Sequence, residues 1–162
     1  MSRLTSVLVG WMLTLSLFLG CVDSARDKAS ASSEPQVTSQ NSSACLSYEP
    51  SVVELRGTII RKTFPGPPDY GSLRGGDRPE VYWLVVLSRP VCVDQDKTDP
   101  DLNPAQKDVR SIQLVFNDAA IYKTQKDLVG KSVVAKGTLF GAHTGHHHTP
   151  VLLTVSSLKT AE

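Results

Sequence analysis

Three stretches after residue 50, 51–63, 109–116 and 132–140, alternate apolar and polar residues with a period of two, the pattern of a strand buried on one face. Val53, Leu55, Gly57 and Ile59 alternate with Glu54, Arg56, Thr58 and Ile60, which predicts a first strand over residues 51–63. Residues 81–93 are apolar on both faces through Tyr82, Trp83, Leu84, Val85, Val86 and Leu87, as in a central strand. A third strand is predicted over 109–116, where Ile112, Leu114 and Phe116 share a face. Asn117 or Asp118 can then cap a short helix running to Leu128, with Gly130 as its stop. Two further strands follow, over 132–140 and 150–155, and the turn between them holds all four histidines of the chain, His143, His146, His147 and His148.

Gly57 and Gly137 stand in the middle of predicted strands, in the closely similar runs Leu55-Arg56-Gly57-Thr58-Ile59 and Ala135-Lys136-Gly137-Thr138-Leu139. Glycine inside a strand marks a bulge or a sharp coil of the sheet, and two such bends favour a sheet that closes on itself. Three strands, a helix and two strands in about 115 residues is the order of an OB-fold. The predicted fold is therefore all-β with one short helix, a small five-stranded OB-fold-like barrel over residues 45–160. A different small antiparallel barrel and an α+β sandwich are the alternatives. In an OB-fold the first and fourth strands pair, so the loops after them lie together beside the usual binding face. Here those loops are the Pro/Gly-rich stretch 64–80, with four prolines and four glycines that argue against strand or helix, and the histidine turn.

The N-terminal part has a different pattern. One basic residue, Arg3, precedes an apolar run from Val7 to Leu19, too short for a span of roughly 20 residues but suited to an export signal. Gly20-Cys21 follows, as in bacterial lipoproteins, where the cysteine is lipidated and becomes the new N-terminus. Residues 1–20 are thus read as a lipoprotein signal peptide and Cys21 as the lipid attachment site. Val22, rather than an aspartate, after the cysteine points to the outer membrane. Simple secretion and a retained N-terminal helix are the competing readings. Residues 21–44 are rich in Ser, Ala, Gln, Asn, Asp and Lys, too polar to offset the entropy of ordering, and are expected to form a disordered tether.

Export decides how the other cysteines are used. With Cys21 lipidated, Cys45 and Cys92 remain as one pair in an oxidising compartment, and a disulfide is expected. Arg3, one of 17 basic residues, leaves with the signal, so 16 basic residues face 16 acidic ones. This balance gives no electrostatic case for nucleic acid.

Four stretches also resemble a known group. Residues 63–68 (TFPGPP), 76–83 (GDRPEVYW), 89–93 (RPVCV) and 142–153 (AHTGHHHTPVLL) are similar to those of an uncharacterised family of exported bacterial proteins known only as a domain of unknown function. The resemblance spans roughly residues 45–158. It implies an envelope location and the domain boundaries, and brings no activity with it.

The histidine turn is the main candidate for chemistry. Neutral imidazole is the commonest metal ligand, so His143, His146 and His148 are candidate zinc or copper ligands, with Asp77 or Glu80 from the facing loop as a fourth and Thr144 and Thr149 as supporting partners. Two other readings stand beside it: the histidines shape the loop through hydrogen bonds, or they contact a ligand directly. The candidate ligand-binding set is Phe64, Pro65, Gly66, Tyr70, Asp77, Glu80, His143 and His146. Asp94, Asp96, Asp99 and Asp101 lack the glycine of a calcium loop and are interrupted by Pro100, which favours a solvated loop. No HExxH helix, nucleophile elbow or phosphate loop is present in the sequence. The expected function is an envelope-anchored, non-catalytic binding lipoprotein with no resident cofactor. An inhibitor or immunity protein against an envelope hydrolase of the lysozyme or peptidoglycan-hydrolase type is the first alternative, and a periplasmic zinc or copper binder the second. The implied partners are the membrane, through the lipid, and an envelope protein.

Overall fold

The computed structural model describes residues 37–39 and 44–161. Six strands form one sheet: β1 (Val37–Ser39), β2 (Val52–Pro65), β3 (Pro79–Val93), β4 (Gln106–Val115), β5 (Ser132–Gly141) and β6 (Val151–Thr160). The five predicted strands are β2 to β6. They close in a ring, β2–β3–β4–β6–β5 and back to β2, with every pairing antiparallel except β4–β6. The protein is thus mostly β with one short helix. β1 lies parallel to the start of β2, Val37 opposite Val52, so the segment expected to be a disordered tether contributes a short strand. The residues proposed for the signal peptide and for lipidation at Cys21 lie outside the described residues.

The alternation puts Val53, Leu55 and Ile59 of β2, Trp83, Val85 and Leu87 of β3, Ile112 and Leu114 of β4, Val133, Ala135 and Leu139 of β5, and Val151 and Leu153 of β6 into one buried core inside the ring. Each fully buried aliphatic side chain contributes about 1.5–3 kcal/mol over its exposed state. The two mid-strand glycines sit where neighbouring backbones come closest. A Cβ on Gly57 would run into the Val86 carbonyl, and one on Gly137 into that of Thr154. At Gly57 the long β2 passes from pairing with β5 to pairing with β3, and the β5–β6 register shifts between Lys136 and Gly137.

Cys45 and Cys92 form the expected disulfide. It fastens the segment before β2 to the end of β3, where Leu46 also bridges Val93, and it lets Leu46 and Tyr48 enter the core. Trp83, Phe116 and Tyr122 pack edge to face, with ring centroids 4.8–5.9 Å apart.

Two expectations need correction. The stretch 64–80 is not all loop, because the β2–β3 ladder continues through Phe64–Glu80 to Pro65–Pro79. Gly66 N–H donates to the Arg78 carbonyl at 2.7 Å, which puts the proline pair at a non-hydrogen-bonded site of the ladder, where a missing N–H costs nothing. The single helix to Leu128 is instead a four-residue turn, α1 (Ile121–Thr124), followed by a 3-10 turn, Lys126–Leu128. The N-cap is Ala120 rather than Asn117 or Asp118, and Asp118 accepts from Ala120 N–H in the turn before the helix. Beyond it, Gly130 at φ 81° and Lys131 are drawn into hydrogen bonds with Ile59 of β2, and this pairing overrides the local helical preference.

Candidate functional site

The outer face of the ring, where alternation predicts solvent, carries a second buried row. Ile60, Leu84, Gln113, Leu152 and Phe140 lie side by side across β2, β3, β4, β6 and β5. Leu84, Gln113 and Leu152 are at most 2% exposed yet stand apart from the inner core. Gln113 is what ties the histidine turn down onto this row. Its Nε2 donates to the His146 carbonyl and its Oε1 accepts from His148 N–H, both at 2.9 Å. Its own backbone N–H donates to Thr149 Oγ1, which in turn donates to the Val151 carbonyl.

Next to this anchor the two loops meet. Register places Glu80 opposite Phe64 and Tyr82 opposite Lys62, all at the loop end of the β2–β3 hairpin. Glu80 Oε2 accepts from Tyr82 Oη at 2.8 Å and from His146 Nδ1 at 2.9 Å. A carboxylate needs a proton on the facing nitrogen, so neutral His146 carries its hydrogen on Nδ1 and presents a lone pair at Nε2. Tyr70 Oη, from the Pro/Gly loop, lies 3.0 Å from that Nε2 and donates to it. The hydrogen bonds from His146 and then Tyr82 hold the Glu80 carboxyl below its usual range. Burial, and then the bond to Glu80, push the Tyr82 phenol well above its own.

Two glycines make room for this arrangement. A Cβ on Gly66 would come within 2.6 Å of Glu80 Cγ, and one on Gly145 within 2.9 Å of the Tyr70 ring. Asp77 shapes the loop that carries Tyr70. Its carboxylate accepts backbone N–H groups from Ser72, Gly71 and Asp69, which hold it below the usual carboxylate range. Tyr70 itself has φ 55°, a left-handed conformation rare for a bulky residue.

The other histidines have separate partners. His148 stacks face to face on Phe64, with centroids 4.1 Å apart and planes within 3°. Burial lowers its proton affinity, opposed by the Glu80 carboxylate and aided by the charges of His146 and Lys62, and its Nε2 is buried without a hydrogen-bond partner. His143 donates from Nδ1 to the Gly141 carbonyl, and its backbone N–H donates to His147 Nδ1 at 3.0 Å. Burial and the adjacent His143 likewise lower the proton affinity of His147.

Of the residues singled out in the sequence, the structure brings Tyr70, Glu80 and His146 into direct contact, with Gly66 beneath Glu80 and Phe64 beside them under His148. Pro65 closes the hairpin, and Asp77 is bonded within its own loop. The proposed metal set His143, His146 and His148 is not brought together, and among the described residues no three His, Cys, Asp or Glu side chains converge as a metal needs. Thr144 and Thr149 hold backbone groups of the turn rather than imidazole nitrogens. Tyr82 and Gln113 belong to the site but not to the predicted set.

A cavity of about 160 Å³ opens beside the network, between β3, β4 and the turn, lined by Tyr82, Gln113, Phe116, Tyr122, His146 and His147 among others. A larger open groove of about 570 Å³ lies between β2 and Val129–Gly130, with Arg61 as its one charged lining residue.

Residues 111–159 match the model of a domain of unknown function, DUF4431. The matched stretch contains Gln113 and the whole histidine hairpin, and the Pro/Gly loop with Tyr70 and Glu80 lies outside it. No curated protein and no solved structure matches the chain. Among the described residues no helix is long and apolar enough to cross a membrane.

Proposed function

We propose that this chain is a binding module of the cell envelope: an OB-like barrel held to the membrane by a lipid on Cys21, with its ligand site where the Pro/Gly loop and the histidine turn meet. The ring order supports the barrel reading. Strands β2 to β6, renumbered one to five, run 1–2–3–5–4–1 with three and five parallel, which is the connectivity of an OB-fold. On that fold the site lies on the face, and between the two loops, that OB domains use for recognition.

The observation that carries the reading is the network Glu80–His146–Tyr70. Ordering two loops costs about 1–2 kcal/mol of backbone entropy per residue, and here the network spends hydrogen bonds on side chains presented at the surface rather than in the core. Such a rigid, polar and aromatic surface beside a small cavity is what a preorganised recognition site needs. Its mix of tyrosine, histidine and one carboxylate suits an envelope protein better than nucleic acid, since the chain has no basic excess.

Photo-crosslinking in intact envelopes tests this. A crosslinker in place of Arg74 or Thr144, at the rim of the site, is expected to give one discrete adduct that is lost in a Tyr82→Ala background. A crosslinker at Lys107 or Ser156 is expected to give none. Equal adducts from both sets of positions, or none from the rim, would contradict the assignment. If the adduct contains a peptidoglycan hydrolase, inhibition of that enzyme by the purified protein distinguishes an inhibitor from a simple ligand.

A further inference from the structure

The hydrogen bonds of the site run in one direction. Glu80 accepts from His146 Nδ1–H, and His146 Nε2 accepts from Tyr70 Oη–H. In a carboxylate–imidazole–hydroxyl chain of this kind the imidazole can take the hydroxyl proton while the carboxylate stabilises the imidazolium. The phenol stands at a residue held in the left-handed region, an outlier of the sort that accumulates at working sites. Gly66 and Gly145 keep clear the space that Glu80 and Tyr70 occupy. A second phenol, Tyr82, braces the carboxylate.

We propose that Glu80, His146 and Tyr70 form a proton relay that makes the Tyr70 phenol a nucleophile toward ester carbonyls, so that the site captures a small acyl group. Tyr70 Oη attacks the carbonyl carbon as its proton passes to His146 Nε2. The new bond joins Tyr70 Oη to the acyl carbon, and the bond from that carbon to the alcohol oxygen breaks. The departing alkoxide or phenolate takes the proton from His146. The products are an acyl-tyrosine and an alcohol, with no change of oxidation state. His146 is the base, and Glu80 is a positioning residue acting through it. The step is stoichiometric and goes beyond the ligand binding proposed above.

The test uses p-nitrophenyl acetate on the purified protein, with acetylation located by peptide mass spectrometry. Tyr70 is expected to acetylate about 100-fold faster than N-acetyltyrosine amide, the scale of a positioned general base. Tyr122 and Tyr48 of the same molecule are expected to remain at or below the free rate. His146→Phe is expected to bring Tyr70 down to the free rate, Glu80→Gln to lower it strongly, and Glu80→Asp to recover part of it. Recovery of the rate in Glu80→Asp, beyond what Glu80→Gln retains, separates a relay from mere loop support. A wild-type Tyr70 no faster than the free amide would overturn the proposal, and this comparison requires no variant to fold. So would an undiminished rate in both Glu80→Gln and His146→Phe.

Discussion

At the scale of single residues, Gln113 and Gly145 decide more of the site than the histidines that first draw notice. Gln113, itself buried, satisfies the His146 carbonyl and the His148 N–H with one amide. Gln113→Leu keeps the volume but leaves both groups unpaired, and urea unfolding is expected to show a loss of about 2–6 kcal/mol, at about 1–3 for each stranded group. Gly145→Ala places a methyl against the Tyr70 ring and is expected to cost about 1–3 kcal/mol, as overpacking does. It should also release the Tyr70–His146 bond, visible as a changed His146 imidazole signal in NMR spectra. Neither residue is prominent in the sequence. A glutamine at an outward strand position reads as solvent-exposed, and nothing in residues 111–115 says that a loop 33 residues later will fold over it. Glu80 and Tyr70 were legible as chemistry-bearing types in an unusual loop. Their bonding to His146, rather than to a metal shared with His143 and His148, depends on rotamers and register that composition does not encode.

At the scale of elements, the histidine hairpin was the most legible part of the chain, because alternation marked β5 and a short apolar run marked the start of β6, which left the turn between them. Its covering role was not legible. Strand pattern speaks for the face turned to the core, yet the outer row Leu84–Gln113–Leu152 is also buried, and the turn is bonded to its central residue. The short helix was overcalled for the opposite reason, since capping and Gly130 are local signals and the pairing with Ile59 is not. The covering turn has a pH signature. His147 and His148 resist protonation in the fold, so the stability they contribute is complete above the ordinary histidine value of 6.5 and is lost as pH falls below it toward their lowered folded values. Asp77 and Glu80 also have lowered values, so their contribution persists to a lower pH and is lost only below the ordinary carboxylate range, 3.8 and 4.5. The thermal midpoint is therefore expected to be flat from pH 8 to 7, to fall in a first step below about pH 6.5, and to fall again in acid. Substituting His147 and His148 together with glutamine should abolish the first step and keep the second. A first step that survives the double substitution would place the titrating group elsewhere.

At the scale of the whole molecule, five strands enclose one core, and the weakest seam is the parallel β4–β6 contact, with three paired residues on each strand. The disulfide lies away from that seam, holding the segment before β2 to the end of β3 across a separation of 47 residues. Removing it as Cys45→Ala with Cys92→Ala is expected to cost about 4 kcal/mol from the loop it closes in the unfolded chain. The histidine network shares no residue with the bridge and should keep its NMR signals in that variant. The closed ring with one short helix was legible from strand count, order and the paired glycines. The short β1 was not, because residues 37–39 have no alternation long enough to be read.

The account rests on the claim that His146 joins the two loops by a bond from each of its nitrogens, and the protonation state of the imidazoles tests that directly. Long-range ¹⁵N–¹H correlation spectra of the purified protein at pH 8 identify which nitrogen of each neutral histidine carries the proton. The structure predicts the Nδ1–H form for His146 and His143 and the Nε2–H form for His147. The Nδ1–H form is the one free histidine disfavours, so it has to be imposed by the oxygens facing Nδ1, Glu80 Oε2 at 2.9 Å and Tyr82 Oη at 3.0 Å, and Glu80→Ala combined with Tyr82→Phe should return His146 to the Nε2–H form. His146 found as Nε2–H in the wild-type protein, or as an averaging pair of tautomers, would mean that the loops are not joined through it.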